Sequence, residues 1–408
     1  MVILSEKLCY LGLQKYVIYD ILVQDHKFGN KRKRGTYTMN YSFISEIASH
    51  FLLRGKVTKY YVSENGHIND TFIVTCQNQS KTTRYILQRV NQYVFRQPKQ
   101  VISNICNVTS YISDYMRDKG IDPRNRVMQL IPSTEGKFYY IDPNGGFWRA
   151  SYYIENCTTY SAGITPEMFR KAGKAFGEFQ MQLSDFPADT LHETIPNFHN
   201  TRSRFADFKE ALLRDSEGRA AKIRKDIEFV TDREYLCGYI YNRLESGEFR
   251  MRVTHNDTKM DNILMDSDTG DALCVIDLDT VMPGSVLNDF GDAIRFGASS
   301  AAEDEVDLSK VYMRLDMFES FVRGFLEGLD GSLTEEEIRA FPMGAIILTY
   351  KTGMRFLTDY LNGDVYFRIS RDRHNLQRAR NQFKLVEDME SKLPEMNAII
   401  EKYISQMK

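Results

Sequence analysis

Residues 252–285, RVTHNDTKMDNILMDSDTGDALCVIDLDTVMPGS, combine short apolar runs with polar residues in an ordered spacing. An Asp-Thr-Gly sequence at 268–270 separates the apolar run 263–265 from the run 272–276. Two short apolar runs on either side of such a turn predict a hairpin of buried strands. This hairpin would hold four polar side chains at one end: His255, Asp257, Asn262 and Asp277.

These side chains have the chemistry that phosphoryl transfer requires, because that reaction depends on positioning and on compensation of dispersed negative charge. Asp257 is the candidate base that orients the attacking hydroxyl and accepts its proton. Asp277 and Asn262 are candidate ligands for Mg²⁺, which prefers oxygen donors. Lys259 is a candidate for neutralising the migrating phosphoryl group, whereas His255 is predicted to support the loop by hydrogen bonding.

The spacing H-x-D-x-K-x-x-N, followed by an apolar strand that ends in Ile-Asp, is that of a kinase catalytic loop and metal-binding aspartate. A polar turn that has this spacing by chance is the alternative, and an isolated Asp and Asn at this separation would favour it. The complete ordered set, with predicted strands on both sides, favours the kinase interpretation.

The H-N-D form of the loop differs from the H-R-D of protein kinases and resembles the aminoglycoside phosphotransferase branch of the kinase-like fold. Within that branch, several segments together resemble the bacterial N-acetylhexosamine 1-kinases: GHIND at 66–70, RYILQRVN at 84–91, RVTHNDTKMDNILMD at 252–266, VIDLDTVMPGS at 275–285, DFGDAIRFGAS at 289–299 and GMRFLTDYLNGDVYF at 353–367. The resemblance covers roughly residues 45–405.

This resemblance implies an α+β, protein-kinase-like bilobal fold. A small, mixed, β-rich N-lobe at 45–154 would bind nucleotide, and a mostly helical C-lobe at 157–408 would carry the catalytic loop and the sugar site. The implied cofactors are ATP and Mg²⁺. The implied reaction transfers the γ-phosphate to the anomeric C1 hydroxyl of N-acetylglucosamine or N-acetylgalactosamine (GlcNAc or GalNAc), and the sequence leaves the choice between these sugars open.

The N-lobe sequence lacks an ion pair that is common in kinases. Many kinases carry a phosphate-binding lysine on the third strand and pair it with a glutamate on the next helix. Here Gln88 stands at the lysine position, and the helix predicted over 100–119 contains no glutamate. Because both partners are absent, neither is left unpaired. Gln88, Arg89 and backbone amides are the candidates for holding the α- and β-phosphates.

Two other segments are candidates for nucleotide contacts. Gly66 and Asn69 lie at the turn that matches the nucleotide-covering loop, although a single glycine there is also compatible with an ordinary hairpin. Ile154 begins the segment expected to be the hinge, whose backbone reads the adenine edge in this fold. A simple interdomain linker is the alternative for that segment.

The resemblance assigns sugar binding to His67, Arg355 and Tyr366, beside Asp257. Considered without the resemblance, Arg355 and Asp359 are four residues apart on a predicted helix and would form a surface ion pair. The family match favours sugar binding over this alternative.

Two polar residues outside the motif are assigned structural roles. Asp289 matches the family aspartate that ties down the catalytic loop, and His199 has no ligand partner at a useful spacing. Helices are expected at roughly 202–214 and 218–245, before the catalytic stretch.

The nearest alternatives are other small-molecule kinases of the same fold, acting on choline, homoserine, methylthioribose or an antibiotic. A cationic aminoglycoside would require an acidic acceptor pocket, whereas Arg355 and Tyr366 suit a neutral sugar better. An inactive nucleotide-binding module is a further alternative, but it would have no reason to keep Asp257, Asn262 and Asp277 together.

The composition predicts a soluble, cytoplasmic protein, with 42% hydrophobic and 26% charged residues in a chain of 408. A net charge of −2 argues against bulk nucleic-acid binding, and no apolar run reaches the length of about 18 residues that a membrane span needs.

Cys76 and Cys274 lie in apolar runs and are expected to be buried free thiols. Residues 1–38 lie outside the resemblance and are expected to be a poorly ordered extension without a catalytic role.

Overall fold

The computed structural model describes residues 41–63, 68–79 and 81–407. Within these ranges the helices are α1 Tyr41–Ser49, α2 Pro98–Asp118, α3 Pro166–Gln182, α4 Thr201–Arg214, α5 Arg224–Thr231, α6 Tyr239–Glu245, α7 Val286–Gly297, α8 Leu315–Leu329, α9 Glu335–Arg339, α10 Phe341–Leu361, α11 His374–Ser391 and α12 Leu393–Met407. The strands of the same residues are β1 Lys56–Val62, β2 Asp70–Asn78, β3 Lys81–Val90, β4 Leu130–Ile131, β5 Tyr140–Ile141, β6 Phe147–Tyr152, β7 Cys157–Thr158, β8 Arg252–Thr254, β9 Ile263–Asp266, β10 Ala272–Val275 and β11 Met282–Gly284.

The described chain divides into two compact units. The first contains the described residues up to Asn91 together with Leu130–Tyr153, and the second contains Gln92–Gln129 and the residues from Ile154 onward. Of the lobes predicted at 45–154 and 157–408, the first includes α2. The contacts of α2, however, group it with the second unit. The predicted lobe boundaries therefore stay a prediction, and residues 1–38 lie outside the described residues.

The first unit is an antiparallel sheet in the order β1-β2-β3-β6-β4, with β5 paired to β6. Side chains alternate between the two faces of a strand, and on one face Phe72, Leu87 and Trp148 are buried in a cluster that includes Ile44 and Ile47 of α1. The amphipathic helix α1 therefore closes one face of the sheet. The other face presents a row of polar side chains.

The second unit is mostly helical and surrounds a large apolar core. At its centre Phe290 of α7 stacks on Phe341 of α10, with ring centroids 4.1 Å apart, and contacts Phe318, Phe321 and Phe325 of α8. Short strand pairs lie at one side of these helices, with β9 between β7 and β10, and β8 paired with β11. The rigid helical core thus supports the short strands on which the polar motif lies.

Glycines allow α3 and α8 to pack with their backbones in contact. A Cβ atom on Gly324 would lie 1.9 Å from the Arg170 carbonyl oxygen, and a Cβ atom on Gly177 would lie 2.3 Å from the Phe325 carbonyl oxygen. Any larger residue at either position would force the helices apart. This close packing fixes α3, which contributes Phe176, Phe179 and Gln180 to the surroundings of the polar motif.

Most of the elements predicted from the sequence are present. The helix predicted over 100–119 is α2, and the helix expected at roughly 202–214 is α4. β5 pairs antiparallel with β6 on either side of residues 142–146. A capping box between Thr334 and Glu337 begins α9.

The prediction of a helix over 218–245 is wrong as a single element. The segment forms α5 and α6, with short 3₁₀ turns before and between them. Arg233 lies at the break, donates to Glu390 of α11 at 2.8 Å and 2.9 Å, and stacks 3.8 Å above the Phe229 ring. Gly238 also has a low helix propensity. The contacts of Arg233 and this glycine together account for the break in the helix.

Cys76 and Cys274 are buried free thiols, as predicted. Burial raises the pKa of the Cys274 thiol to about 12. No helix among the described residues is both long enough and apolar enough to cross a membrane.

Candidate active site

Residues 255–262, here called the HND loop, lie between two strand pairs of the second unit. β8 pairs antiparallel with β11, and β9 pairs antiparallel with β10. The Thr254 hydroxyl at the start of the loop donates to the Met282 carbonyl oxygen at 2.9 Å. The pairing of β9 with β10 confirms the hairpin predicted from the sequence, which holds the end of the loop, and the pairing of β8 with β11 holds its start.

Asp289, in the first turn of α7, anchors the HND loop. Its Oδ1 accepts from the Asn256 backbone N–H at 2.7 Å, and its Oδ2 accepts from the His255 backbone N–H at 2.9 Å. Gln180 also donates to Oδ2, and the Thr258 hydroxyl donates to the Asp289 carbonyl oxygen. Burial raises the pKa of the Asp289 carboxyl above its ordinary value. The expectation that Asp289 ties the loop down is confirmed.

His255 supports the loop from within, as the sequence predicted. Its Nε2 donates to the Ile276 carbonyl oxygen at 2.9 Å, and its Nδ1 accepts from the Asp257 backbone N–H at 3.3 Å. The ring is fully buried and makes edge contacts with Phe176 and Phe179 of α3. Both ring nitrogens are used in holding backbone groups, so His255 positions the loop next to Asp277.

Asp257 is held by two neighbours on the same loop. Asn262 Nδ2 donates to the Asp257 carboxylate Oδ2 and to the Asp257 carbonyl oxygen, each at 2.8 Å. Lys259 Nζ lies 3.2 Å from the same Oδ2. The carboxylate is 28% exposed, so it is both fixed in position and open to a reacting group. A carboxylate that is oriented in this way can act as a general base.

The charge of Lys259 links the loop to Asp277. Burial acts to lower the pKa of Lys259, but the carboxylates of Asp257, Asp261 and Asp277 together raise it above its ordinary value. The ammonium is therefore held in its charged form. The four residues predicted for phosphoryl transfer, Asp257, Lys259, Asn262 and Asp277, are brought together by the fold.

Asp277 and Asn262 form a donor set that fits Mg²⁺. Asp277 follows β10 with φ of 60°, a left-handed conformation that turns the chain sharply at this carboxylate. Because Asn262 Nδ2 donates to Asp257, the amide oxygen Oδ1 is the atom suited to a metal ion. Across the described ranges, no group of three or more His, Cys, Asp or Glu side chains could hold a metal by itself. An ion here would share its coordination with phosphate oxygens, as Mg²⁺ commonly does.

Arg355, on α10, lies among aromatic rings. Its guanidinium carbon is 5.6 Å from the ring centre of Phe198, 5.4 Å from that of Tyr366 and 5.2 Å from that of Phe367. Burial lowers the pKa of Arg355, and a hydrogen bond with the Tyr366 hydroxyl acts in the opposite direction. Tyr366 itself is 52% exposed, so the structure brings these two predicted sugar residues together at an accessible surface.

Asp359 has a different partner from the one that helical spacing suggests. Its Oδ1 accepts from the backbone N–H groups of Val365 and Tyr366 at 3.0 Å and 2.8 Å, and its Oδ2 accepts from Phe367 N–H at 2.9 Å. Asn375 of α11 also donates to Oδ2. The alternative of a simple ion pair with Arg355 is therefore wrong, because Asp359 instead fixes the turn that carries Tyr366.

A buried pair that the sequence analysis missed connects α10 to the HND loop. Lys351 Nζ is 2.6 Å from His199 Nδ1, and His199 Nε2 is 3.3 Å from the Asn256 carbonyl oxygen. Burial, followed by the charge of Lys351, lowers the pKa of His199. Burial, followed by the charge of Arg355, lowers the pKa of Lys351. His199 is thus a buried contact of the HND loop, which its lack of a ligand partner in the sequence did not indicate.

The candidate nucleotide residues of the first unit have mainly intramolecular partners. Gln88 Nε2 donates to the Thr71 hydroxyl at 3.1 Å, and Gln88 Oε1 accepts from Arg149 Nε at 2.9 Å. Asn69 Oδ1 accepts from the Asn91 backbone N–H at 2.9 Å, which ties the segment before β2 to the end of β3. Both ends of the Gln88 amide group therefore form hydrogen bonds with side chains of neighbouring strands.

Of three further residues predicted to bind nucleotide or sugar, the structure describes only Ile154. Ile154 is buried, and its carbonyl oxygen accepts from the Cys157 thiol at 3.1 Å. Gly66 and His67 lie outside the described residues, so their predicted contacts with nucleotide and sugar stay predictions.

Comparisons with known proteins agree with this geometry. Residues 155–320 match the family model described as APH, the phosphotransferase enzyme family. This segment contains the HND loop, Asp277 and Asp289. This segment is therefore similar to that family, and the described residues of the chain have an α+β, kinase-like fold, as predicted.

Solved structures with this fold cover nearly the whole chain at low identity. The chain is similar to an aminoglycoside phosphotransferase from Alicyclobacillus acidocaldarius, with 12% identity, a TM-score of 0.54, and coverage of 88% of this chain and 96% of that one. It is similar to a choline kinase from Cryptosporidium parvum Iowa II, with 14% identity, a TM-score of 0.56, and coverage of 88% and 98%. It is similar to an ethanolamine kinase from Plasmodium vivax, with 15% identity, a TM-score of 0.52, and coverage of 89% and 92%.

Proposed function

We propose that this chain is an ATP- and Mg²⁺-dependent kinase that phosphorylates N-acetylhexosamines at the anomeric C1 hydroxyl. The observation that carries the proposal is the geometry of Asp257. Its carboxylate is oriented by Asn262 and Lys259 on a loop that Asp289 anchors through two backbone N–H groups. A fixed carboxylate with these neighbours suits the alignment of an attacking hydroxyl.

The proposed roles follow from the chemistry of each side chain. Asp257 accepts the proton of the acceptor hydroxyl through Oδ2, and the greater acidity of an anomeric hydroxyl suits a carboxylate of modest basicity. Lys259, held in its charged form, compensates the negative charge of the phosphoryl group during transfer. Asp277 and Asn262 would hold Mg²⁺, which supplies charge compensation on the phosphates when bound.

A neutral acceptor is proposed because of the charge around Arg355. Arg204 and Arg295 both act to lower the pKa of Arg355. Arg355 in turn acts to lower the pKa of Lys351. A cationic acceptor such as choline, ethanolamine or an aminoglycoside would add a further positive charge to this region, which is unfavourable. An N-acetylhexosamine offers hydroxyl and acetamide oxygens to Arg355 and an apolar ring face to Tyr366.

The test is an acceptor screen with ATP and Mg²⁺. The purified protein is incubated with GlcNAc, GalNAc, choline, ethanolamine, homoserine, methylthioribose and an aminoglycoside, and ADP release is measured for each. Turnover is expected with at least one N-acetylhexosamine and to be much slower with the cationic alcohols. Efficient turnover of choline or ethanolamine with no turnover of either sugar would overturn the acceptor assignment.

A matched pair of variants ties the activity to Asp257. Asp257→Asn removes the proposed base, and Asp261→Asn removes another carboxylate that raises the pKa of Lys259. Only the first substitution is expected to abolish most turnover. Equal losses in both variants would indicate that the charge of the loop matters, and that Asp257 has no specific role.

A further inference from the structure

The peptide unit between Asn256 and Asp257 sets the direction in which the Asp257 side chain leaves the HND loop. Asn256 has φ of 66°, a left-handed conformation that asparagine adopts more readily than most residues. A peptide unit is planar, so contacts with its carbonyl oxygen and with its N–H group together fix its plane. The structure provides one contact of each kind, and both come from histidine rings.

His255 holds the N–H side of this peptide unit, and His199 holds the carbonyl side. The Asp257 N–H donates to His255 Nδ1 at 3.3 Å. His199 reaches the peptide unit from the segment before α4, and its Nε2 lies 3.3 Å from the Asn256 carbonyl oxygen. Because a carbonyl oxygen can only accept a hydrogen bond, Nε2 of His199 carries a proton.

Lys351 on α10 fixes the orientation and the tautomer of the His199 ring. Its Nζ is 2.6 Å from His199 Nδ1. In a neutral imidazole one nitrogen donates and the other accepts, so a lysine donor at Nδ1 leaves the ring proton on Nε2. Both side chains are buried, with exposed fractions of 2% for Lys351 and 8% for His199. Burial, followed by the charge of Lys351, lowers the pKa of His199, and this favours the neutral ring.

We propose that His199 is a positioning residue for phosphoryl transfer, which holds the Asn256–Asp257 peptide unit so that the Asp257 carboxylate faces the acceptor, and that Lys351 keeps His199 in its Nε2–H form. The inference rests on the proposed function, because it takes Asp257 as the base. A displacement of about 1 Å in a catalytic group can lower the rate about a hundred-fold. A small rotation of this peptide unit would therefore be sufficient to lower kcat.

A pair of amide substitutions separates the two contacts of His199. The amide nitrogen of glutamine stands about where the Nε2 of histidine does, so His199→Gln keeps a donor for the Asn256 carbonyl oxygen. The shorter asparagine places its amide about where Nδ1 was, so His199→Asn can accept from Lys351 but does not reach Asn256.

The two variants are compared by steady-state kinetics. In His199→Asn, kcat is expected to fall roughly ten- to a hundred-fold, because the base is displaced. In His199→Gln, it should fall by no more than about three-fold, because the donor remains. The KM for ATP should stay within about two-fold of the wild type in both variants, since an interaction that acts only in the transition state affects kcat.

Lys351→Met tests the lysine separately from the stability of the fold. Methionine removes the hydrogen bond to Nδ1 of His199 and adds no polar group. The value of kcat is expected to fall roughly three- to ten-fold, the usual effect of losing one hydrogen bond. The melting temperature should not fall, because a polar group is removed from a buried position. A lower kcat without lower stability distinguishes positioning from support of the fold.

Nitrogen NMR of the wild type, with isotope-labelled histidine, tests the tautomer without any substitution. The signals of His199 are those that disappear in His199→Gln. At neutral pH they are expected to show a protonated Nε2 and an unprotonated Nδ1. A ring with its proton on Nδ1, or with protons on both nitrogens, would overturn the proposal. This measurement keeps the test decisive if His199→Asn does not fold.

The kinetic outcomes are distinguishable as well. A kcat in His199→Asn within about two-fold of the wild type would overturn the proposal. Equal losses in His199→Asn and His199→Gln would also overturn it, because the ring would then serve only packing. Unchanged kcat in Lys351→Met would refute the role of Lys351. A wild type that phosphorylates no acceptor would instead refute the proposed function, and the NMR result would still decide the tautomer.

Discussion

Replacing Arg355 by Met tests the acceptor site with little disturbance of its surroundings. Methionine keeps an aliphatic stem among the rings of Phe198, Tyr366 and Phe367, whose centres lie 5.2–5.6 Å from the guanidinium carbon. It removes only the charged donors. The KM for the sugar is expected to rise strongly, while the KM for ATP stays within a few-fold.

The magnitude follows from the contacts of Arg355. Losing hydrogen bonds from a charged donor costs about 1.5–3 kcal/mol, which corresponds to roughly ten- to a hundred-fold in affinity for the sugar. Stability should change much less. The ring contacts are worth about 0.5–1 kcal/mol each, but removing a buried charge also removes its desolvation penalty. These effects oppose each other, so the free energy of unfolding is expected to shift by about 1 kcal/mol or less.

The assay is steady-state kinetics with each substrate varied separately, combined with urea denaturation. Arg378→Met is the matched control, because Arg378 also stacks on an aromatic ring, 3.8 Å from Phe356, but donates to the partly buried Glu303. It should lower stability by roughly 1–3 kcal/mol and leave the sugar KM unchanged. If Arg355→Met lowers stability and leaves both KM values level, Arg355 has only a structural role.

Three further predictions concern the HND loop and its supports. Asp257→Asn should reduce kcat by about a hundred-fold or more while ATP affinity stays near the wild-type value, measured by kinetics and calorimetry; a loss of only a few-fold would exclude a base role. Asp277→Ala should abolish the Mg²⁺ dependence of ATP binding, as chelation by EDTA does in the wild type, and normal metal dependence in the variant would disprove the ligand assignment. Because the pKa of His199 is lowered below its ordinary value of 6.5, its neutral form stabilises the fold above that pH, and this stability is lost as the pH falls below it. Urea denaturation should therefore show a loss of up to about 1.4 kcal/mol per pH unit below 6.5 that His199→Gln removes, and parallel pH profiles would contradict this.

The sequence predicted the loop and its hairpin because these features are local. The residues from His255 to Asp277 follow one another within two short strands and one turn, and turn residues with alternating apolar runs specify such a unit. The predicted support roles of His255 and Asp289 are confirmed by their hydrogen bonds to the loop backbone. The chemical roles of Asp257, Lys259, Asn262 and Asp277 stay predictions.

The contacts that sequence reasoning missed join residues far apart in the chain. His199 and Lys351 are separated by 152 positions and meet only because α10 packs beside the segment before α4. One signal was present, since Lys351 follows the apolar run 345–348 by only three residues. Helical spacing also suggested Arg355 as the partner of Asp359, because i and i+4 residues share a face, whereas the turn after α10 provides backbone donors that a periodicity argument does not include.

The identity of the product tests the proposed C1 kinase activity directly. The protein is incubated with ATP, Mg²⁺ and either GlcNAc or GalNAc, and the sugar phosphate is examined by phosphorus NMR with proton coupling. A phosphate attached to C1 in the α configuration is expected, formed by the wild type and absent with Asp257→Asn. A phosphate at C6, or no phosphorylated sugar from either substrate, would contradict it.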